Sequence, residues 1–533
     1  MKKQILLLIF LGFMVFSIFY FLNFYPLICD SWMHMGVGKE AAETGVLNYT
    51  NYGYPTKGAG SLIASLSVVS GIKVGYFLLI FIQIFAGVFV TILVYSLLKK
   101  YNEKIALLAA IFTIFGFGGQ YFVYRAHIPH FLDFFFLPFL LYLNYKFIET
   151  KEYFLPHLMI FMALLLTHVW PVLIYMLFYF LFLCMFFING ENRKIKKKVF
   201  INFLIMGIWS LFCFKFFNWS RYLNIDMKIF YISPFIILFM LFLISINKFS
   251  MIIKNFFNCL KEKIIEKKKK LAFLIPLILV FTGFSIIFLK VITQTYSQNW
   301  IGSLSTIFSF SLFFALMLVG LIEMLAISDK KVNALIFLIT FWCSVSLLFF
   351  VTGTMLMKYP SLLPDRHWAY VVILGSIPAA FAFKPLIKRK NNKLLVFCLI
   401  CIVLVSVINQ SYLKNQYLRS DDPQELNMFN WINQNTPIES TILSDYRIMY
   451  GLFGASERKT FLTILSERNL NVLSQINYTI WSDQFFKQKI NLGYTQENAK
   501  INDKLFFNNR LFDKVYSTQN ASLFKKISKN IEN

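Results

Sequence analysis

The stretch CDSWMHMGVGKEAAETG, residues 29–45, is the first polar segment of the chain and decides its fold class. It follows an apolar run from Ile5 to Pro26 that contains no charged residue. Such a run is long enough to cross a bilayer as a helix, and it exceeds the apolar core of a secretory signal peptide. No small-x-small cleavage site precedes Asp30. We therefore expect an uncleaved first span, with Asp30 just outside it.

The composition of the whole chain predicts a polytopic membrane protein. Of the 533 residues, 58% are hydrophobic and only 15% are charged, whereas a soluble protein carries roughly a quarter charged residues. The net charge of +26 sits in short runs between apolar segments and not in one basic face. This pattern argues against nucleic acid as a partner and favours cytoplasmic loops beside a lipid bilayer.

The apolar runs predict about thirteen transmembrane helices. We place them near 4–26, 74–98, 104–118, 131–149, 153–170, 171–189, 199–217, 229–247, 271–292, 304–327, 333–351, 369–386 and 393–410. With a cytoplasmic N-terminus, alternation puts the basic runs 192–198, 261–270 and 388–393 on the inner side, as the positive-inside rule requires. The odd number of spans puts the tail outside. We thus expect a multi-pass protein of the cell membrane.

Two domains follow from this topology. Residues 1–410 form the α-helical transmembrane domain, with residues 28–73 as its first outer loop. The tail, 411–533, reads as a small extracytoplasmic α/β domain. In the tail, residues 421–437 predict a short helix that starts at Asp-Pro and stops at Thr-Pro, residues 440–446 predict a strand, and residues 513–527 predict a hairpin.

The rare ionisable residues gather on the predicted outer side. Five of the six histidines lie there: His34, His127, His130, His168 and His367. Asp133 stands in the apolar stretch HFLDFFFLPF, where a carboxylate costs several kcal/mol unless it pairs, binds a ligand or faces water. Arg125 and Arg366 belong to the same side. These groups together predict an outer cavity lined by carboxylates, imidazoles and guanidinium groups.

Each residue alone also has a structural interpretation. Asp30 could cap a helix, single histidines are commonly packed and hydrogen-bonded, and arginines near an interface anchor to headgroups. Asp133 could pair with Arg125. The clustering of all of them on one side favours the functional interpretation.

A helix over residues 30–44 would place Asp30 and His34 one turn apart on one face, followed by Val37 and Ala41. Trp32 and Met35 would point elsewhere. Gly45 suits the end of such a helix. After a turn in 53–60, a second weakly amphipathic segment, 61–72, leads into the next span.

Asp30, His34, the step to Gly45 and the following Tyr54-Pro55 with Gly58 resemble the first outer loop of GT-C glycosyltransferases. The catalytic subunits of bacterial and archaeal oligosaccharyltransferases are the most similar family. The resemblance implies thirteen spans, an external C-terminal domain and two interfacial helices after the first span. It also implies that Asp30 is catalytic or binds a metal ion, and that Arg366 holds the lipid phosphate.

The sequence departs from that family at three points. The Trp-Trp-Asp-Tyr-Gly motif of the tail is absent, and LSDYRIMYG (443–451) is the nearest stretch. Gln298 stands where the family has Glu, and the second polar cluster reads His127-x-x-His130-x-x-Asp133. We therefore expect transfer of a single sugar from a polyprenyl-phosphate donor to a lipid, glycan or protein acceptor, with inversion as the resemblance implies.

This hypothesis assigns a role to each residue. Asp30 is the base that takes the acceptor proton, His34 orients it, and Asp133 is the alternative base. Arg125, Arg366 and His367 bind the lipid phosphate.

Asp30, His127, His130 and Asp133 also offer mixed nitrogen and oxygen ligands for a divalent metal such as Mg²⁺ or Mn²⁺. Many GT-C enzymes need no metal, so no cofactor is required by this interpretation.

Two other functions remain open at this point. A flippase for lipid-linked sugars should place ionisable residues near the bilayer midplane or in repeated halves. A polysaccharide ligase or polymerase would also use Arg and His on the outer face. Convergence of Asp30, Asp133 and Arg366 on one outer cavity would favour the transferase.

Overall fold

The computed structural model describes part of the chain, in blocks separated by gaps. The described residues are 2–22, 29–46, 58–74, 76–115, 128–150, 152–167, 193–216, 315–324, 374–389, 393–401, 423–437, 439–444, 459–462, 477–482, 512–517 and 521–526, with single positions in 172–179, 255–266, 313 and 403–404. The predicted spans near 229–247, 271–292 and 333–351 lie outside these residues.

Long helices fill the first 216 residues. They are α1 (Lys2–Leu22), α2 (Cys29–Thr44), α3 (Gly58–Ser70), α4 (Tyr76–Lys99), α5 (Glu103–Phe115), α6 (Ile128–Thr150), α7 (Phe154–Thr167) and α8 (Arg193–Phe216). Further helical residues are 315–324, 374–381 and 393–400, and a short helix, α9, covers Lys384–Lys388. The helices coincide with the apolar runs of the sequence, apart from α2 and α3, which lie in the predicted first outer loop.

Among the described residues, none of the helices combines the length and the apolarity needed to cross a bilayer.

The helix predicted over 30–44 is present as α2. It ends at Gly45, whose φ of +73° is left-handed and whose N–H donates to the carbonyl of Ala41 over 2.9 Å. A left-handed residue closes a helix cheaply only when it lacks a Cβ, which explains the glycine. The second segment of that loop is helical as well, and α3 stops before Gly71, which is also left-handed.

The core of the helical region centres on α4 and α5. Helix α4 contacts α1, α5 and α6, and α6 contacts α7. The backbones of residues 315–324 and 374–381 also approach closely, because a Cβ on Gly320 would overlap the carbonyl of Pro378. Close backbone approach at small residues is a general feature of helices that pack in lipid.

The described tail forms an α/β unit. Helix α10 (Pro423–Asn435) precedes five strands: β1 (Thr441–Ser444), β2 (Lys459–Leu462), β3 (Tyr478–Ser482), β4 (Phe512–Ser517) and β5 (Ala521–Lys526). The sheet order is β2-β1-β3-β5-β4. Strands β1, β2 and β3 are parallel, and β5 pairs antiparallel with both β3 and β4. The predicted tail helix, first strand and hairpin are confirmed.

Both faces of this sheet are covered. One face carries Ile442, Ile480 and Leu523, which pack with Phe429 and Ile432 of α10. Thr479 and its register partner Phe524 lie on the other face, because side chains alternate along a strand. These two residues are only 0% and 8% exposed, so a second layer covers them.

Candidate active site

Asp30 is the second residue of α2. A carboxylate in the first turn of a helix is favoured in its ionised form, because the unpaired N–H groups give this end a partial positive charge. This backbone position agrees with the predicted role of Asp30 as an acceptor of protons. The orientation of its side chain lies outside the described part of the chain.

His34 lies one turn further along α2 and is fully buried. Val37 and Ala41, on the same helical face, are buried as well. Met35, which the helical period places on another face, is only 3% exposed. Helix α2 is therefore enclosed around residues 34–38, and its weak amphipathic pattern reflects contacts on more than one side.

Helix α2 packs along α3, and both helices contact α6. Helix α6 begins at Ile128, so His130 and Asp133 lie in its first two turns. The helix that carries Asp30 and His34 thus lies against the helix that carries the second predicted polar cluster. The side chains of His130 and Asp133 are outside the described residues, as is the whole of His127.

Partial burial also affects a second acid of α2. Desolvation raises the pKa of the half-buried Glu40 carboxyl above its ordinary value of 4.5. A raised pKa means that this carboxyl holds its proton more tightly than a free glutamate does.

A second contact links the ends of two other helical segments. The hydroxyl oxygens of Thr113, near the end of α5, and Ser376, in helical residues 374–381, are 3.0 Å apart. In the sequence, Arg125 follows ten residues after the end of α5, and Arg366 precedes residue 374 by eight. Arg125, Arg366 and His367 themselves lie outside the described residues, so their role as phosphate ligands stays a prediction.

The structure contains a buried polar cluster that the sequence did not predict. His157 Nε2 lies 2.5 Å from the Tyr175 hydroxyl, which accepts a hydrogen bond of 2.6 Å from Asn144 Nδ2. Asn202 Nδ2 lies 2.8 Å from His157 Nδ1 and donates to the Tyr179 hydroxyl over 2.9 Å. All five side chains are at most 3% exposed. Two asparagines inside apolar runs were the signal for such a cluster.

Both ring nitrogens of His157 are engaged in these hydrogen bonds, so neither is available to a metal ion. The cluster joins α6, α7, α8 and the segment that holds both tyrosines. We interpret it as a set of bonds between helices, because buried polar groups are stable only when they are paired.

The described residues contain no group of three or more His, Cys, Asp or Glu side chains that could hold a metal ion. The side chains of the predicted ligands, Asp30, His127, His130 and Asp133, are not among those described. The divalent metal therefore stays a prediction.

Comparison with known proteins finds no matching protein-family model and no matching curated protein. The resemblance to oligosaccharyltransferases accordingly stays a prediction.

Two solved structures are similar in part. One is ArnT from Cupriavidus metallidurans in the apo state, with a TM-score of 0.46 and 9% identity, and the match covers 99% of this chain and 98% of that one. The other is ArnT from the same organism bound to undecaprenyl phosphate, with a TM-score of 0.42, 10% identity and the same coverage. TM-scores below 0.5 are too low for either similarity to bear on the reaction of this chain.

Proposed function

We propose that this chain is a membrane glycosyltransferase of the GT-C class. It moves one sugar from a polyprenyl-phosphate donor to an acceptor at the outer membrane face. The proposal rests on the sequence topology, on the acid at the start of the first outer loop, and on the contact described next.

The contact between α2 and α6 is the observation that carries the proposal. Asp30 and Asp133 are far apart in the sequence, yet each lies in the first two turns of its helix, and the two helices touch. A transferase needs acid–base groups from different segments at one place, whereas a transporter needs a passage through the middle of the bilayer. The contact supports the first arrangement.

The chemistry requires a base and a phosphate clamp. The departing polyprenyl phosphate is stable as an anion, so the leaving group needs little help from a general acid. Asp30 takes the proton of the acceptor hydroxyl while His34 orients it, and Asp133 is the alternative base. Arg125 and Arg366, with His367, hold the phosphate and stabilise the charge that develops on it. In-line attack at the anomeric carbon inverts its configuration.

A divalent ion would fit the mixed donor set of Asp30, His127, His130 and Asp133, since α2 and α6 lie in contact. Such an ion would supply positive charge near the phosphate. Mg²⁺ and Mn²⁺ are the candidates, and none of the steps above requires one.

The purified chain, incubated with radiolabelled sugar–polyprenyl phosphates and extracted membrane lipids, provides the test. We expect label to move to an acceptor, and Asp30→Asn to lower the rate by roughly 10²–10⁴-fold, the usual contribution of a general base. Asp513→Asn is the matched control, because Asp513 is an exposed residue of β4 in the tail. Near-normal transfer by Asp30→Asn would remove Asp30 from the chemistry. Translocation of intact donor across proteoliposomes without transfer would instead indicate a flippase.

A further inference from the structure

Helix α2 is packed against α3 at a point where only a hydrogen fits. A Cβ on Gly38 would lie 2.5 Å from Ile63 Cγ2 and 2.8 Å from Ile63 Cβ. Carbon atoms in contact are normally about 3.5–4.0 Å apart. The backbone of α2 at Gly38 thus rests directly on the side chain of Ile63.

Helix α3 is docked in the same way on α7. A Cβ on Gly58, the first residue of α3, would lie 2.6 Å from the carbonyl oxygen of Leu166 and 2.9 Å from Thr167 Cγ2. The obstacle is backbone, which cannot rotate aside as a side chain can. The contact also joins the positive N-terminal end of α3 to the negative C-terminal end of α7, which is electrostatically favourable.

We infer that Gly38 and Gly58 are positioning residues for the transfer reaction, an inference that rests on the proposed function. Helix α7 packs on α6, α3 docks on α7 through Gly58, and α2 docks on α3 through Gly38. This series of contacts sets the distance between the start of α2, with Asp30, and the start of α6, with Asp133.

Larger residues at these positions have a defined effect. Alanine at position 38 or 58 forces the packed helices apart by roughly 1 Å if normal carbon contacts are restored. A misplacement of about 1 Å costs on the order of 10²-fold in rate. We expect kcat to fall by about that factor in Gly38→Ala and Gly58→Ala. The KM for the donor changes little, because the proposed phosphate ligands lie on other segments.

Gly207→Ala is the matched control. Gly207 also lies within a helix, α8, but the nearest atom to its added Cβ would be Met176 Cε at 3.9 Å, an ordinary contact. All three alanines gain the same helix propensity, so a loss restricted to positions 38 and 58 reports packing. Ile63→Ala in the Gly38→Ala background removes the nearer clashing atom and should restore part of kcat.

A distance measurement separates this inference from the proposed function. Spin-labelled amino acids at the exposed positions Glu43 on α2, Val69 on α3 and Met159 on α7 report helix separation in the full chain. We expect Gly38→Ala and Gly38→Val to lengthen the 43–69 distance in that order, and Gly58→Ala to lengthen the 69–159 distance. Gly207→Ala should leave both distances unchanged.

Unchanged distances, or displaced helices with normal kcat, would overturn the inference. If the wild-type chain transfers no sugar but the distances shift as expected, the packing roles of Gly38 and Gly58 stand and the proposed function fails.

Discussion

Thr113 and Ser376 are 263 residues apart in the chain, and their hydroxyl oxygens lie 3.0 Å from each other in the buried core. Thr113 Oγ1 also lies 2.9 Å from the carbonyl of its own helix at Ala109. Phe112 contacts Phe383 close by, at a centroid separation of 5.7 Å. The early helix α5 and the late helical residues 374–381 are therefore joined by both polar and aromatic contacts.

Ser376→Ala should destabilise the chain by about 0.5–1 kcal/mol, the usual value of a single hydrogen bond between helices. The loss stays modest because Thr113 keeps its bond to Ala109. Unfolding of the purified protein in detergent measures it. Ser210→Ala is the control, since the Ser210 hydroxyl bonds only to the carbonyl of Met206 in its own helix among the printed contacts. Equal effects of the two variants would contradict the prediction.

His157→Phe should cost more, about 1–3 kcal/mol, because buried Asn202 and Tyr175 each lose a partner. The double variant His157→Phe, Asn202→Leu should recover part of that loss, since replacing both partners with apolar groups can be nearly neutral. Unfolding free energies of the two single variants and the double variant test this. Additive losses would show that the two residues do not interact.

Asn477→Ala should destabilise the tail by about 1 kcal/mol. Asn477 Oδ1 accepts a hydrogen bond of 2.8 Å from the backbone N–H of Thr441, and the backbone of Asn477 bonds to both Thr441 and Lys526. The side chain thus closes the junction between β1 and β3. Asn435→Ala is the control, because Asn435 Nδ2 bonds only to Trp431 of its own helix among the described contacts. The intrinsic fluorescence of Trp431 against temperature follows the transition.

Glu40 predicts a dependence of stability on pH. Because its pKa is higher in the folded than in the unfolded chain, the unfolded state loses its proton first as the pH rises, and stability falls. Glu40→Gln should therefore be more stable than the wild type at neutral pH, and the difference should disappear below the ordinary value of 4.5. Glu43→Gln, an exposed change on the same helix, serves as the control. A difference that persists at low pH would contradict the assignment.

Local patterns in the sequence predicted several elements well. Helix α2, its end at Gly45, the tail helix and the hairpin of β4 and β5 all follow from capping residues, turn residues and periodicity. These features depend on neighbours in the sequence, so a single chain contains enough information to find them.

Features that depend on distant residues were not predictable. The strand β2, only four residues long, has no alternating pattern to distinguish it, and the sheet order requires pairings between remote segments. The His157 cluster joins residues from 144 to 202. The enclosure of Met35 likewise depends on tertiary packing, about which helical periodicity is silent.

The position of β5 has a consequence for biosynthesis. This strand lies between β3 and β4, so the ribosome must release residue 526 before the sheet can close. Until then β3 presents an open edge that can pair with other chains. A premature stop codon before Ala521 would leave that edge exposed for good, and quality-control proteases, not a loss of catalytic groups, would set the fate of the shortened product.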